Sequence, residues 1–425
     1  MSERRWLGDA VAAVPAFVAL AVFAWWGFSD GGFAPTVLYP GGLLVLGALL
    51  ALVVARPDRL RVRRRSTAVA LVALLAFTAV SYASLLWADS PGDAWAGANR
   101  TLVYTAAFAL FALTPFTVAT GAAAIGTAAV LAAAAGFQVV AEAAGGTSVE
   151  AIFVDGRLSQ PVGYVNGSAA FFTMAFLAAA VLASRRETPL PARAALLGVS
   201  TVLLDLALLA QSRAWLVFVP LGLLVTFVLV PNRMRLLLTL VPVGVVTLLS
   251  LPALLEVYRA FGEPGAVDAI ADARNIVLLG GAATAVLGGL GAWLDRRTEL
   301  PESLGRRSDR VLAVAGAALA VVGCAAALVA IGNPVARAAD AWDEFESGYP
   351  SEFSGSHFTG GGLGDYRADQ WRVALDTFAG APLLGAGVDG FGPRYIAERR
   401  TTNEALYPHS VELSVLSSTE PCRSQ

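Results

Sequence analysis

The sequence predicts an all-α polytopic membrane protein with about eleven transmembrane helices and a large extracytoplasmic loop. Of its 425 residues, 56% are hydrophobic and 15% charged, with a mean hydropathy of +0.65, which is more apolar surface than a soluble core of this length can bury. Apolar runs of roughly 17 to 22 residues recur, each long enough to cross about 30 Å of hydrocarbon as a helix. The short segments of alternating polarity that mark a lipid-embedded strand barrel are absent, so the spans are helical.

In chain order the predicted spans fall near 10–28, 37–55, 67–86, 101–119, 122–141, 168–184, 194–210, 215–230, 236–255, 275–294 and 311–331. The first follows Arg4 and Arg5, as a signal peptide would, but it is longer than an ordinary h-region and no clear small-x-small cleavage site follows; it reads as an uncleaved span. Arginine crowds the connections 56–65, 185–193, 231–235 and 295–310, all on one face of such an arrangement. The opposite connections, around Asp30, Asp89 and Asp93, from Glu142 to Asp155 and from Glu256 to Asp272, are acidic or weakly charged. The positive-inside rule then sets the N-terminus in the cytoplasm and residues 332–408 outside, in a multi-pass protein of the plasma or inner membrane. The connection 114–121 carries no charge. The chain divides into N-terminal helices (1–155), central helices (156–331), an extracytoplasmic loop (332–408) and the start of a further helix (409–425).

Few residues carry chemistry. Cys324 and Cys422 offer neither a disulfide framework nor metal-ligand spacing, and with only two histidines no metal site or cofactor is expected. No nucleic-acid partner is expected; membrane lipids are. Asp205, in LLDLALL, is costly in hydrocarbon and therefore a functional candidate, the alternative being a structural carboxyl that is neutral or paired to a helix. Arg213 stands at the outer end of its span, where arginine is disfavoured. It reads either as an interfacial arginine snorkelling to lipid phosphate or as a planar, bidentate donor for a phosphate or diphosphate ligand. Arg157 and Asn166 precede the sixth span, and Arg367, Arg372, Arg394 and His409 lie in the external segment.

Within that segment, Gly and Ser clusters up to residue 364 suggest a mobile loop. After it, RADQWRVALDTFAG sets Trp371, Ala374, Leu375 and Phe378 at helical spacing, with Arg367 four residues before Trp371. An amphipathic helix lying on the membrane surface is expected there, ended by Gly380 and Pro382. His409 follows Pro408 and either packs the next helix or acts as a base; Glu412, one turn on, is placed to orient it or simply faces solvent.

Taken in order, QSRAWLVF, YRADQWRVALDTFAGAPLLGAGVDGFGPRY and YPHSVEL resemble the O-antigen ligase and O-antigen polymerase family of polytopic glycosyltransferases. GRLSQPVGYVNGSAAFF (156–172) is similar to the family's glycine-rich, Asn-containing entry to a middle span, so the resemblance covers roughly 156–417. It implies transfer of a glycan from a polyprenyl diphosphate-linked donor to a hydroxyl of a glycan, lipid or protein acceptor on the extracytoplasmic face. Arg213 and Arg367, with Arg157 beside them, would bind the diphosphate; His409 would serve the acceptor, supported by Trp371, Glu412 and Asp205. Paired arginines can stabilise a diphosphate leaving group without a divalent ion, and histidine, which ordinarily titrates near pH 6.5, suits a general base. Family members run on into a further span, whereas SVELSVLSSTEPCRSQ changes composition abruptly, so a frameshift or truncation of the last span is expected. The alternatives are a polymerase of the same family, a lipid-linked glycan flippase or transporter with a central polar cavity, and a non-catalytic assembly scaffold.

Overall fold

A computed structural model of the chain describes residues 3–55, 62, 64–231, 233–297, 339, 342, 343, 345, 366–380 and 387–418. The predicted span 311–331, both cysteines, His357, most of the loop up to 364 and the turn at 381–386 lie outside the described residues. The described chain is almost entirely helical, with one two-residue strand pair. Eight of its helices are long and apolar enough to cross a membrane, so the protein is an all-α multi-pass membrane protein.

Two compact units interleave along the sequence: the described residues of 1–41 and 116–297 form the first, those of 42–115 and 339–418 the second. The first contains α1 (Glu3–Gly27), α5 (Val118–Ala144), the single turn α6 (Val149–Ile152), the hairpin β1 (Phe153–Val154) and β2 (Arg157–Leu158), α7 (Val165–Ser184), α8 (Leu190–Leu209), α9 (Arg213–Leu229), α10 (Arg233–Ala260) and α11 (Ala266–Arg297). The second contains α3 (Arg65–Ala83), α4 (Pro91–Leu113), α12 (Arg367–Gly380), α13 (Phe391–Glu398) and α14 (Val411–Ser418). The remaining helix, α2 (Pro35–Ala55), passes from the first unit to the second at Gly41–Gly42.

A helix covers each of the first ten predicted intervals, but the fourth is displaced. Instead of 101–119, α4 begins at Pro91 and ends at Leu113. Thr114 is extended, as the residue before a proline tends to be, and Pro115 has no N–H to continue the ladder. The uncharged connection then resolves itself by capping. Thr117 and Thr120 exchange backbone-to-hydroxyl bonds of 2.9 and 3.2 Å, a reciprocal box that starts α5. Because α9 is only 17 residues long, it is among the shorter apolar helices.

The core of the first unit is built on α8, whose Leu203, Leu206 and Leu209 are all but inaccessible and pack with Phe172 and Phe176 of α7 and Val243, Leu254 and Val277 of α10 and α11. Between α8 and α11 the backbones nearly touch. A Cβ on Gly198 would lie 2.6 Å from the carbonyl oxygen of Gly281, and one on Gly281 would lie 2.7 Å from Val202. Lipid offers no hydrophobic drive for helix pairing, so small residues that allow such approach supply the dispersion contact instead. Leu248, Leu249 and Val286 face outward, highly exposed, as a lipid-facing surface requires.

Asp205 accepts a 2.7 Å hydrogen bond from Thr247 of α10 and is wholly buried. It thus links two helices of the core, as a helix-paired carboxyl would. Gly198→Ala should lower the stability of the protein in detergent by about 1–3 kcal/mol, because the obstructing atom is backbone. Gly244→Ala, with nothing within 4 Å of its new methyl, should be neutral or slightly stabilising; equal thermal unfolding temperatures for the two variants would show the close contact to be unimportant.

Candidate functional site

In the first unit the candidate residues gather where α7 begins and α8 gives way to α9. The chain enters through a hairpin whose turn, Asp155-Gly156, has φ of 49° and 74°, the left-handed pair that a two-residue turn demands. Gly156 also lies against the end of α10, since a Cβ there would stand 3.2 Å from Cα of Tyr258 and 2.9 Å from Cβ of Phe261 just beyond it. Arg157 follows on β2, half-buried, with Nη2 3.4 Å from Asp155 Oδ2. Asn166, in the first turn of α7, donates to the Tyr164 hydroxyl (2.8 Å) and accepts from Ser212 Oγ (2.6 Å). The same Ser212 oxygen accepts from the Trp215 N–H at 3.4 Å and so caps α9. Trp215 Nε1 donates to Thr173 Oγ1 of α7 at 2.8 Å. Arg213 is consequently the first residue of a helix whose start is fixed to α7 at two points. Gln211, two residues earlier, is buried and left-handed with φ 43°.

The second unit holds the other candidates. Arg367 is the first residue of α12 and follows left-handed Tyr366, φ 57°. Trp371, one turn on, donates from Nε1 to the Pro408 carbonyl at 2.9 Å, fixing the chain immediately before His409. His409 is exposed and left-handed itself, φ 51°. Non-glycine residues in this region cost on the order of 1 kcal/mol or more and persist only where surroundings impose them. Gln211, Tyr366 and His409 stand at or within two positions of Arg213, Arg367 and His409, while Asp30 and Ser148 are left-handed away from the candidates.

Two features modify the sequence reading. The buried face of α12 is Asp369, Gln370, Val373, Ala374 and Thr377, shared with the expected stripe only at Ala374; Leu375 is exposed. The face turns because α13 and α14 cover it, with Phe391 and Tyr395 stacked at 5.4 Å against Val373 and Ala374. Glu412 accepts from Ser410 Oγ at 2.8 Å, and Ser410 Oγ in turn accepts from the Leu413 N–H at 3.3 Å to start α14. The fully exposed Glu412 carboxyl is held below its ordinary range by its own backbone N–H and by Ser410.

Sequence reasoning missed Arg100 and Asp389. Arg100 of α4 donates to the Tyr407 hydroxyl at 2.9 Å and lies 3.2 Å from Asp389 Oδ2, so it steadies the segment two residues before His409. The Asp389 carboxyl is pushed upward by burial, against the pull of Arg100 and with help from Asp93. Asp389 is left-handed too, φ 58°, and fits against Gly97, where a Cβ would come within 2.7 Å of its Oδ2. Only its aspartate identity at a turn hinted at this.

Asp369 organises the rest. Its Oδ1 accepts from Arg372 Nη2 (2.8 Å) and Nε (3.1 Å), and its Oδ2 from the Arg400 N–H (2.9 Å). Burial raises its pKa, but these bonds outweigh burial and hold the carboxyl below the ordinary carboxylate range. A depressed folded-state pKa gives stability that is complete above the unfolded value near 3.9 and is lost as pH falls through the lower folded value. Asp369→Asn should therefore cost about 2 kcal/mol at pH 7 and flatten the acid limb of the unfolding profile below about pH 4; an unchanged acid limb would remove Asp369 from this role. No family model, curated protein or solved structure matches the chain, so the reading of these residues rests on its sequence and its geometry.

Proposed function

We propose that the protein is an O-antigen ligase-like glycosyltransferase, moving a glycan from a polyprenyl diphosphate carrier to an acceptor hydroxyl in the biosynthesis of cell-surface polysaccharide. The observation that carries the reading is that Arg213 and Arg367 each open a helix, α9 and α12. Guanidinium and backbone N–H groups together form a strong donor set for phosphate oxygens. The motif order that resembles the ligase and polymerase family supplies the substrate class.

In this reading Arg213 and Arg367 bind the donor's diphosphate and Arg157 assists. The acceptor oxygen attacks the anomeric carbon as the bond from that carbon to the diphosphate oxygen breaks. The bonding pair leaves with the diphosphate, where the arginines stabilise the developing charge. His409 takes the acceptor hydroxyl proton, and displacement inverts the anomeric centre. Trp371 positions His409 through Pro408. The arginine-rich connections face the cytoplasm and the segment bearing Arg367 and His409 faces outward.

Donor binding and transfer in detergent test this directly. Arg213→Ala and Arg367→Ala should each weaken donor binding by about 1.5–3 kcal/mol, with Lys restoring only part because it lacks the planar fork. His409→Ala should leave donor binding nearly intact yet lower transfer by roughly 10² to 10⁴, and the residual rate should lose its rise with pH through the histidine range. Parental transfer by His409→Ala, or parental donor binding by both arginine variants, would overturn the assignment.

A further inference from the structure

A hydroxyl buried inside a helix can satisfy itself by giving its hydrogen to the carbonyl four residues back. Ser200 of α8 does so with Leu196 (2.7 Å), and Ser250 of α10 does so with Val246 (3.1 Å). Two hydroxyls of the same core depart from that habit. Thr247 of α10 gives its hydrogen to Asp205 Oδ1 at 2.7 Å. Thr201, one turn before Asp205 on α8, is wholly buried, yet its oxygen has no hydrogen-bond partner among the described residues. The second carboxylate oxygen, Asp205 Oδ2, is likewise buried and unpartnered among them. Ser250 faces the same carboxyl. Because its hydrogen is spent on Val246, it offers that carboxyl only lone pairs. These groups border one small space: the position a Cβ would take on Gly280 of α11 lies 3.6 Å from Ser250 Oγ and 3.6 Å from the Thr201 methyl.

A carboxylate buried among apolar helices needs one positive charge. Asp205 has no ion-pair partner among the described residues. A proton supplies the charge but joins only oxygens already at hydrogen-bond distance, and the unpartnered oxygens of Thr201 and Asp205 do not bond each other. A small hard cation supplies the charge and gathers several oxygens at once, at about 2.4 Å each for an ion of calcium's size. One carboxylate with neutral hydroxyls balances a single charge, which selects a monovalent ion. The space is tight, since the same Cβ would stand 3.1 Å from Val246 Cγ1. That favours sodium over the larger potassium ion.

We propose that Asp205, Thr201, Thr247 and Ser250 bind a sodium ion between α8, α10 and α11. Asp205 balances its charge, and the three hydroxyl oxygens serve as neutral ligands. The ion ties the last turns of α8 to the middle of α10 and of α11. This site does not depend on the assignment of glycan transfer.

The test holds the purified full chain in neutral detergent and choline chloride, at constant ionic strength and a pH well above the ordinary carboxylate range, and replaces choline stepwise by sodium or potassium. Retained radioactive sodium and the unfolding temperature are read. Sodium should be retained at one ion per chain and should raise the unfolding temperature saturably, with potassium about tenfold weaker. Asp205→Asn should abolish both effects. Thr201→Val and Thr247→Val should each weaken sodium about fivefold, as loss of one neutral ligand implies, whereas Thr201→Ser keeps the oxygen and most of the affinity. Ser200→Ala, whose hydroxyl is bonded to Leu196, should respond as the parent does. Equal stabilisation by choline, potassium and sodium would overturn the proposal, as would parental retention of sodium by Asp205→Asn. An absence of retained sodium in the parent would leave the carboxyl neutralised by a proton and overturn it as well. If Asp205→Asn does not fold, equal sodium affinity in Thr201→Val and Thr201→Ser would have the same effect.

Discussion

Backbone N–H and C=O groups that enter hydrocarbon have to be satisfied by the chain itself. In this protein that constraint produces long helices and expels polar chemistry to their ends. The Thr117 and Thr120 exchange, the Ser212 cap of α9 and the Ser410 cap of α14 are places where a helix start finds its missing partners in side chains. The candidate arginines occupy the same kind of position. A charge that would be prohibitive halfway along α8 or α11 is tolerable where a helix begins and water or headgroups are near.

Away from the ends, cohesion comes from contact rather than charge. The approach of α8 to α11 over Gly198 and Gly281 brings backbone against backbone, and Asp205 with Thr247 adds one polar tie between α8 and α10. The second unit, with less apolar length, is held differently. There Asp369 gathers Arg372 and Arg400 while Phe391 and Tyr395 stack beneath them. A polar junction of this kind orders a short segment that could not bury enough apolar surface to order itself.

The long helices were legible because hydropathy over about 20 residues integrates many weak preferences. The first half of α4 was not, since Asp93, Asn99 and Arg100 break its apolar run although the helix continues through them. For α12 the helix was legible but its buried face was not, because that face is chosen by α13 and α14 and not by its own periodicity. The pairing of Arg100 with Tyr407 spans 307 positions and leaves no local trace. Arginines near 185–193 and 231–235 were readable only as markers of orientation. That three of them share Asp295 depends on four helix ends meeting, which spacing along the chain does not encode.

The single hydroxyl of Ser212 serves two helices at once, closing the start of α9 while donating to Asn166 of α7. At 17 residues, α9 spans about 25 Å, less than a typical hydrocarbon layer. Its first turn is anchored, so the shortfall cannot be shared between its two ends. It falls at Val230, where Arg233 folds back to the carbonyls of Phe227 and Val228. Ser212 thus fixes Arg213 relative to α7, and any mismatch between α9 and the surrounding lipid is taken up at its Val230 end.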